Sequence, residues 1–338
     1  MFATAFTLED TLGSDEWWTT GVSCVAFFSA LSAFILLTPA AVESPKWLFV
    51  VKRDSEAARH ALRKLYNKTD VDDELMAIAA EGNVQHPAAT SEQWSFSKLF
   101  STKELKWPVT FVITLMLGQQ FSGINVVFFF ADSLYKSAGL NTQEASYAGL
   151  AVTVLNVATT ILAASLIEKT GRRPILLYPM VVCCIALATQ VVLVTLSTEF
   201  ADEWSPDSIT ALSWGAIAAV AVYVVAFALG LGPIPVFMAS EIFRPGPRAT
   251  ASAVGAITNL TATLTVALLF ENVLLEYLGT YSFLPFLVST VLFLIFFWIK
   301  LPETKNRDVD DIYRELGCYQ GQNDIEMSQQ NKNLYQSN

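Results

Sequence analysis

Read for hydropathy alone, the chain alternates long apolar runs with short polar ones. Seven runs are long enough to cross a bilayer as helices, at about 17–39, 107–131, 147–167, 174–198, 210–238, 250–275 and 281–300. The fifth is too long for one straight crossing and contains Gly-Leu-Gly-Pro-Ile-Pro at 230–235, so it is expected to bend or break there. Between the first and second runs lies a polar region, about 49–104, with a different period. Ser55 to Tyr66 predicts an amphipathic helix with Ala57, Ala58, Ala61, Leu62 and Leu65 on one stripe and Arg59, Arg63 and Lys64 opposite. A second piece is expected from about Val71 to Ala80, with Asp70 as its N-cap, followed by a loop from Gly82 to Ser91. Ser97 to Phe100 leads into the next membrane entry.

The second run is apolar except near its middle, where Leu117 to Ala131 carries two glutamines, a serine, a glycine and an asparagine. At that depth amides have no water to turn to, so they must face protein or an aqueous cavity. On an ideal helix Gln120 and Asn125 point about 140° apart. A break at Gly123 would let both line one cavity, and broken helices at the midplane are where transporters bind solutes. The alternative is that the amides only fasten one helix to the next.

Composition fits this pattern: of 338 residues 53% are hydrophobic and only 15% charged, against about a quarter in soluble domains. Charge placement then sets a topology. With 40–106 in the cytosol, 20 of the 21 Lys and Arg residues fall on cytosolic segments and only Lys136 lies outside. The acids Asp15, Glu16, Asp132, Glu144, Glu199, Asp202, Glu203, Asp207, Glu271 and Glu276 fall outside. The net charge of −10 therefore says little about partners. Seven spans with a cytosolic C-terminus put the N-terminus outside, an arrangement expected of a chain that lacks its beginning.

Other chemistries find little support. Cys24, Cys183, Cys184 and Cys318 have no disulfide or zinc spacing and read as free core thiols or a tail thiol. Neither His60 nor His86 has companions. No phosphate-binding glycine loop, metal cluster or nucleophile triad is present in the sequence. Asn67-Lys-Thr and Asn259-Leu-Thr match the glycosylation pattern, but one is placed in the cytosol and the other inside the membrane.

Spans two to seven form two groups of three, each with a basic turn: Glu168-Lys-Thr-Gly-Arg-Arg-Pro174 and Glu241-Ile-Phe-Arg-Pro-Gly-Pro-Arg248. Gln119-Gln-Phe-Ser-Gly-Ile-Asn125 resembles the QQxSGIN signature of the sugar porters of the major facilitator superfamily. Glu168 to Arg173 resembles their E/D-R-x-G-R-R turn. Gly232-Pro-Ile-Pro235 with Glu241 and Gly246-Pro-Arg248 resembles their GPGPIPWxxxxE stretch and its continuation. Glu43-Ser-Pro-Lys looks like PESPR and Leu301-Pro-Glu-Thr-Lys305 like PETKG, with Val42 and Asn306 departing from those motifs. The resemblance runs from the family's sixth span to its twelfth.

That resemblance implies sugar contacts at Gln119, Gln120, Asn125, Asn156 and Asn259, whose amides can donate and accept at once, as vicinal hydroxyls require. For Asn156 and Asn259 interhelical contact remains an equal reading. It implies a cytosolic ion-pair latch of Glu168, Arg172, Arg173, Glu241 and Arg248. Flexible helix breaks are expected at Gly123, Gly232, Pro233 and Pro235. Departures from the pattern are Phe129-Phe130 for a tyrosine pair, Ala228 for a polar ligand, and Val236 and Leu260 for two tryptophans. These imply a roomier, less polar pocket than in a typical glucose carrier.

The expected fold is an all-α membrane protein: the C-terminal six-helix bundle of the superfamily, one preceding helix and a cytosolic helical linker. The expected divisions are an external segment (1–16), a transmembrane helix (17–42), the linker (43–106), the bundle (107–300) and a largely disordered cytosolic tail (301–338). The expected function is transport of a hexose or related sugar by alternating access, without cofactor, metal, nucleic acid or enzymatic chemistry. Plasma membrane is the expected location, and a small sugar and the bilayer are the expected partners. The alternatives are a non-transporting membrane protein acting as sensor or partner of a full-length carrier, and a porter for another polyol.

Overall fold

The computed structural model describes residues 18–38, 41–50, 52–85, 94–129, 135, 141–199, 204–305, 307 and 309–315. The chain divides into two compact units, with the boundary between Gln93 and Trp94.

The first unit holds α1 (Trp18–Leu37), α2 (Pro45–Val50), α3 (Ser55–Tyr66) and α4 (Asp72–Gln85). Helix α1 is largely apolar and has no distinct polar face. Helix α3 starts where Asp54 accepts a hydrogen bond from the Ala57 N–H at 2.9 Å, and ends at Asn67, which turns left-handed with φ 52°. Ala58, Ala61 and Leu62 bury against Leu48, Val71 and Leu75. Leu65, expected on that stripe, is exposed, because this small core covers α3 only as far as Leu62. Helix α4 also differs from expectation. It begins at Asp72 and runs to Gln85, through part of the expected loop. Asp70 is not its N-cap, though its carboxylate accepts the Asp72 N–H at 3.2 Å; the residue between them, Val71, is drawn into the core.

The second unit begins with α5 (Phe96–Ser101) and continues with α6 (Lys106–Phe121), α7 (Ile124–Phe129), α8 (Thr142–Thr170) and α9 (Arg172–Glu199). Then come α10 (Pro206–Leu229), α11 (Ile234–Glu241), α12 (Pro245–Leu269), α13 (Leu275–Leu278), α14 (Leu284–Lys300) and α15 (Val309–Glu315). Sequence chemistry sets the ends. Asn141 and Glu144 form a reciprocal capping box at the start of α8. Gly171, at φ +98°, separates α8 from α9, and Ser205 with Pro206 starts α10. Helix α9 packs between α10 and α14, α6 packs against α12 and α14, and α8 lies on α10. Aromatic side chains fill the centre, with Phe111 edge-on to Phe297 and Phe270 against Phe283 and Phe286.

Among the described residues, five segments are long and apolar enough to cross a membrane: Lys103–Phe128, Thr142–Thr170, Arg172–Glu199, Asp207–Glu241 and Gly246–Tyr281. Helix α14 is equally apolar over 17 residues. The expected disordered tail is not uniformly so. Residues 301–305 pack against the bundle, where Glu303 and Thr304 bond to α9 and α11, and α15 buries Ile312 and Tyr313. Residues 316–338, the segment around Lys136 that is expected outside, and Phe130 lie outside the described residues.

Candidate functional site

Two helix breaks face each other in the bundle. Helix α6 stops at Phe121 and α7 restarts at Ile124, and Gly123 joins them at φ +89°. A Cβ there would lie 2.9 Å from Phe286 Cγ, so glycine is required by conformation and by space. A break in apolar surroundings strands carbonyls that must be satisfied internally. Ser122 Oγ donates to the Gln119 carbonyl at 2.7 Å, Ser289 Oγ to that of Phe121 at 2.6 Å, and the Tyr223 hydroxyl to that of Ser122 at 2.8 Å.

The second break lies between α10 and α11, where Gly230 to Pro233 form a turn. The Gly232 N–H returns to the Phe227 carbonyl at 2.8 Å. The carbonyls of Leu231 and Gly232 accept from the Gln119 amide at 2.8 and 2.7 Å. One side chain thus bridges both breaks.

From Gln119 the amides run on as a chain. Asn259 Nδ2 donates to Gln119 Oε1 at 2.6 Å, Gln120 Nε2 lies 3.5 Å from the same oxygen, and Asn125 Nδ2 donates to Gln120 Oε1. The turn at Gly123 brings Gln120 and Asn125 together, which a straight helix would not do. These four amides and Asn156 line a cavity of about 820 Å³. The Asn156 amide makes no hydrogen bond among the described residues. The rest of the wall is mostly apolar, including Phe128, Phe227, Val236, Phe237 and Leu260. Val236 and Leu260 are 61% and 69% exposed, so both present bare hydrocarbon at the surface. Ala228 is buried and is not part of the wall.

A charged cluster occupies the basic end of the bundle. Arg172 Nη2 donates to Glu241 Oε1 at 2.6 Å and its Nε lies 3.1 Å from both carboxylate oxygens, a forked pairing. Thr304 Oγ1 adds a 2.6 Å bond to Glu241. Glu303 accepts the backbone N–H groups of Arg172 and Arg173 at 3.0 and 3.1 Å and so caps the start of α9. Burial pushes the Glu303 carboxyl up, but the N–H groups of Lys305, Arg172, Arg173 and Thr304 outweigh this and hold it below the usual carboxylate range.

The cluster differs from the sequence expectation in its members. Arg173 donates its guanidinium to the Trp298 carbonyl at 3.0 Å, and Arg248 to that of Phe243 at 3.1 Å. Glu168 is exposed on the last turns of α8 and pairs with no cation among the described residues. Glu303 and Thr304 take its place. The motif around them was legible in the sequence, but its pairing with α9 and α11 was not. Tyr223 gave no sequence signal at all.

The chain as a whole is similar to known proteins. The family model described as "Sugar (and other) transporter" matches residues 1–316. The chain is 34% identical over 305 residues to solute carrier family 2, facilitated glucose transporter member 5 of Equus caballus, covering 90% of this chain and 58% of that protein. It is 34% identical over 322 residues to member 3 of Oryctolagus cuniculus, covering 95% and 61%. The chain therefore spans about three fifths of the length of the curated relatives it matches. Among solved structures, a double-tryptophan mutant of XylE is similar with TM-score 0.63 and 25% identity, covering 90% of this chain and 60% of that one. The inward-open xylose transporter XylE of E. coli gives TM-score 0.61 at 22% identity, over 92% and 61%.

Proposed function

The chain belongs to the sugar transporter family of the major facilitator superfamily, and from that premise we propose that it serves transport of a hexose or similar neutral polyol across a membrane by alternating access. The observation that carries the reading is the amide chain Asn125–Gln120–Gln119–Asn259 on the wall of an 820 Å³ cavity beside two helix breaks. Neutral amides can pair with hydroxyls in either sense and hold no ionic trap, so a solute can leave again. Gln120, Asn125, Asn156 and Asn259 are the sugar contacts in this reading. Gln119 has both donors on backbone carbonyls, so it also sets the spacing between the breaks.

The basic end faces the cytosol in this reading, with the C-terminus on the same side and the plasma membrane as the site of action. Arg172, Glu241, Glu303 and Thr304 hold that end closed, with Arg173 and Arg248 bracing it. The breaks at Gly123 and at Gly232, Pro233 and Pro235 supply the bending points. The divisions at residues 16, 42, 106 and 300 follow this topology. No covalent chemistry is required of the protein. The exposed Val236 and Leu260 favour a solute bulkier or less hydroxylated than glucose.

Uptake of labelled sugars into cells lacking their own hexose carriers tests the proposal, with wild-type protein and Gln120→Ala compared. Saturable uptake that weakens in Gln120→Ala while membrane insertion persists supports it. Saturable uptake unchanged by the substitution removes the site assignment. Insertion without uptake, together with altered uptake by a co-expressed full-length carrier, favours the partner reading.

A further inference from the structure

The basic end of the bundle carries a second cavity, of about 330 Å³, that shares no wall with the amide-lined one. Trp107 at the start of α6, Arg173 at the start of α9, Ile299 and Lys300 at the end of α14, and Glu315 at the end of α15 form its sides. Two cations converge here. The Arg173 guanidinium spends one donor on the neutral Trp298 carbonyl, and Lys300 Nζ lies 5.9 Å from the centre of the Trp107 ring. Neither is paired with a carboxylate among the described residues. The nearby acids are already engaged: Glu315 with Arg307, and Glu303 with backbone N–H groups. The cavity therefore offers positive charge and unused N–H donors to an anion.

What lies beside it identifies the anion's carrier. Leu284, Val288, Val291, Leu292, Ile295, Trp298 and Ile299 are all exposed and recur every three to four residues. They make one apolar stripe down α14, ending at the cavity's own Ile299. From Ile299 to Val288 the stripe is about 16 Å long at 1.5 Å per residue, matching the ~15 Å hydrocarbon depth of one leaflet. Trp107 and Trp298 sit where the apolar stripe meets the charges, the position tryptophan takes at a membrane boundary. Soluble phosphate would use the cations and leave the stripe idle.

We propose that this cavity binds the phosphate of an anionic phospholipid, with Arg173 and Lys300 on the headgroup and an acyl chain along α14. The proposal rests on the membrane placement of the bundle and is independent of which solute the family site takes. Each cation near a membrane surface contributes about fivefold to the affinity for an anionic lipid.

Native mass spectrometry of the purified full chain in detergent tests it, with phosphatidylglycerol and phosphatidylcholine of the same acyl chains as probes. Wild-type protein is expected to retain phosphatidylglycerol at least about fivefold over phosphatidylcholine. Lys300→Ala should lose about fivefold of that retention, Lys300→Arg should keep it, and Lys64→Ala, in the first unit, should leave it unchanged. Thermal melts of each variant establish that folding is intact, and Lys300→Glu is the second variant at this exposed position. Equal retention of the two lipids, or indifference to both Lys300→Ala and Lys300→Glu, overturns the proposal. So does displacement of phosphatidylglycerol by millimolar inorganic phosphate, which would assign the site to a water-borne anion.

Discussion

Tyr223, on α10, donates its hydroxyl to the carbonyl of Ser122 at 2.8 Å, and so a side chain from one broken segment closes the backbone of the other. Tyr223 is 1% exposed and Ser122 is fully buried, so water cannot replace the bond. Tyr223→Phe should therefore cost about 1–3 kcal/mol, the penalty for a buried group left unpaired. Tyr178→Phe, at a position 65% exposed, should change little. Thermal melts in one detergent compare the two.

Gly123 should tolerate no other residue. At φ +89° an alanine costs roughly 1–2 kcal/mol in backbone strain before its methyl meets Phe286. Gly123→Ala is expected to lower the melting temperature and, by straightening the break, to separate Gln120 from Asn125. A normal melt with normal uptake would show that the break is dispensable.

The neighbours Gln119 and Gln120 should separate in their effects. Removing the Gln119 amide leaves the Leu231 and Gly232 carbonyls without that donor, and leaves Asn259 Nδ2 only its 3.8 Å contact with Met116 Sδ, so Gln119→Ala should lower stability by about 1–3 kcal/mol for each carbonyl left unpaired. Gln120→Ala disturbs no backbone group and should act mainly on solute affinity. Parallel melts and concentration series of uptake distinguish them.

Arg172 and Glu241 have side chains 18% and 26% exposed, so water screens their pairing less than that of a surface pair. A double-mutant cycle of Arg172→Ala and Glu241→Ala should give a coupling of about 1–3 kcal/mol. Thr304→Val should weaken the same coupling by loosening Glu241. A coupling near zero would remove the latch from the mechanism.

Acid should loosen the basic end through Glu303. Its carboxyl is held below the ordinary 4.5 in the folded protein, so its contribution to stability is complete above that value. That contribution is lost as pH falls through the lowered folded value, because the protonated acid no longer caps α9. Melting curves from pH 7 down to pH 3 should fall less steeply for Glu303→Gln than for wild type.

The membrane helices were legible because one-dimensional hydropathy and charge placement carry them: a run of twenty apolar residues has few other homes. The amides of α6 and α7 were legible for the same reason, since their polarity is conspicuous where every neighbour is apolar. Helix α3 was found to the residue, but its Asp54 cap and the burial of its last turn were not, because exposure depends on what other segments cover. Glu168 and Glu303 look alike in sequence, each an acid at a polar turn. Only the fold decides that Glu303 lies under the first N–H groups of α9 while Glu168 points away.

The sequence by itself determined which segments of the bundle are long and apolar enough to cross a membrane, where two of them break and which uncharged polar groups sit among apolar neighbours, because each follows from local composition and the backbone limits of glycine and proline. The tertiary structure decided which carbonyls Gln119 holds, that Tyr223 closes the break at Ser122, and which acid meets Arg172. Those pairings join residues 69 to 113 positions apart, and such distances are set by how helices pack, not by any local pattern.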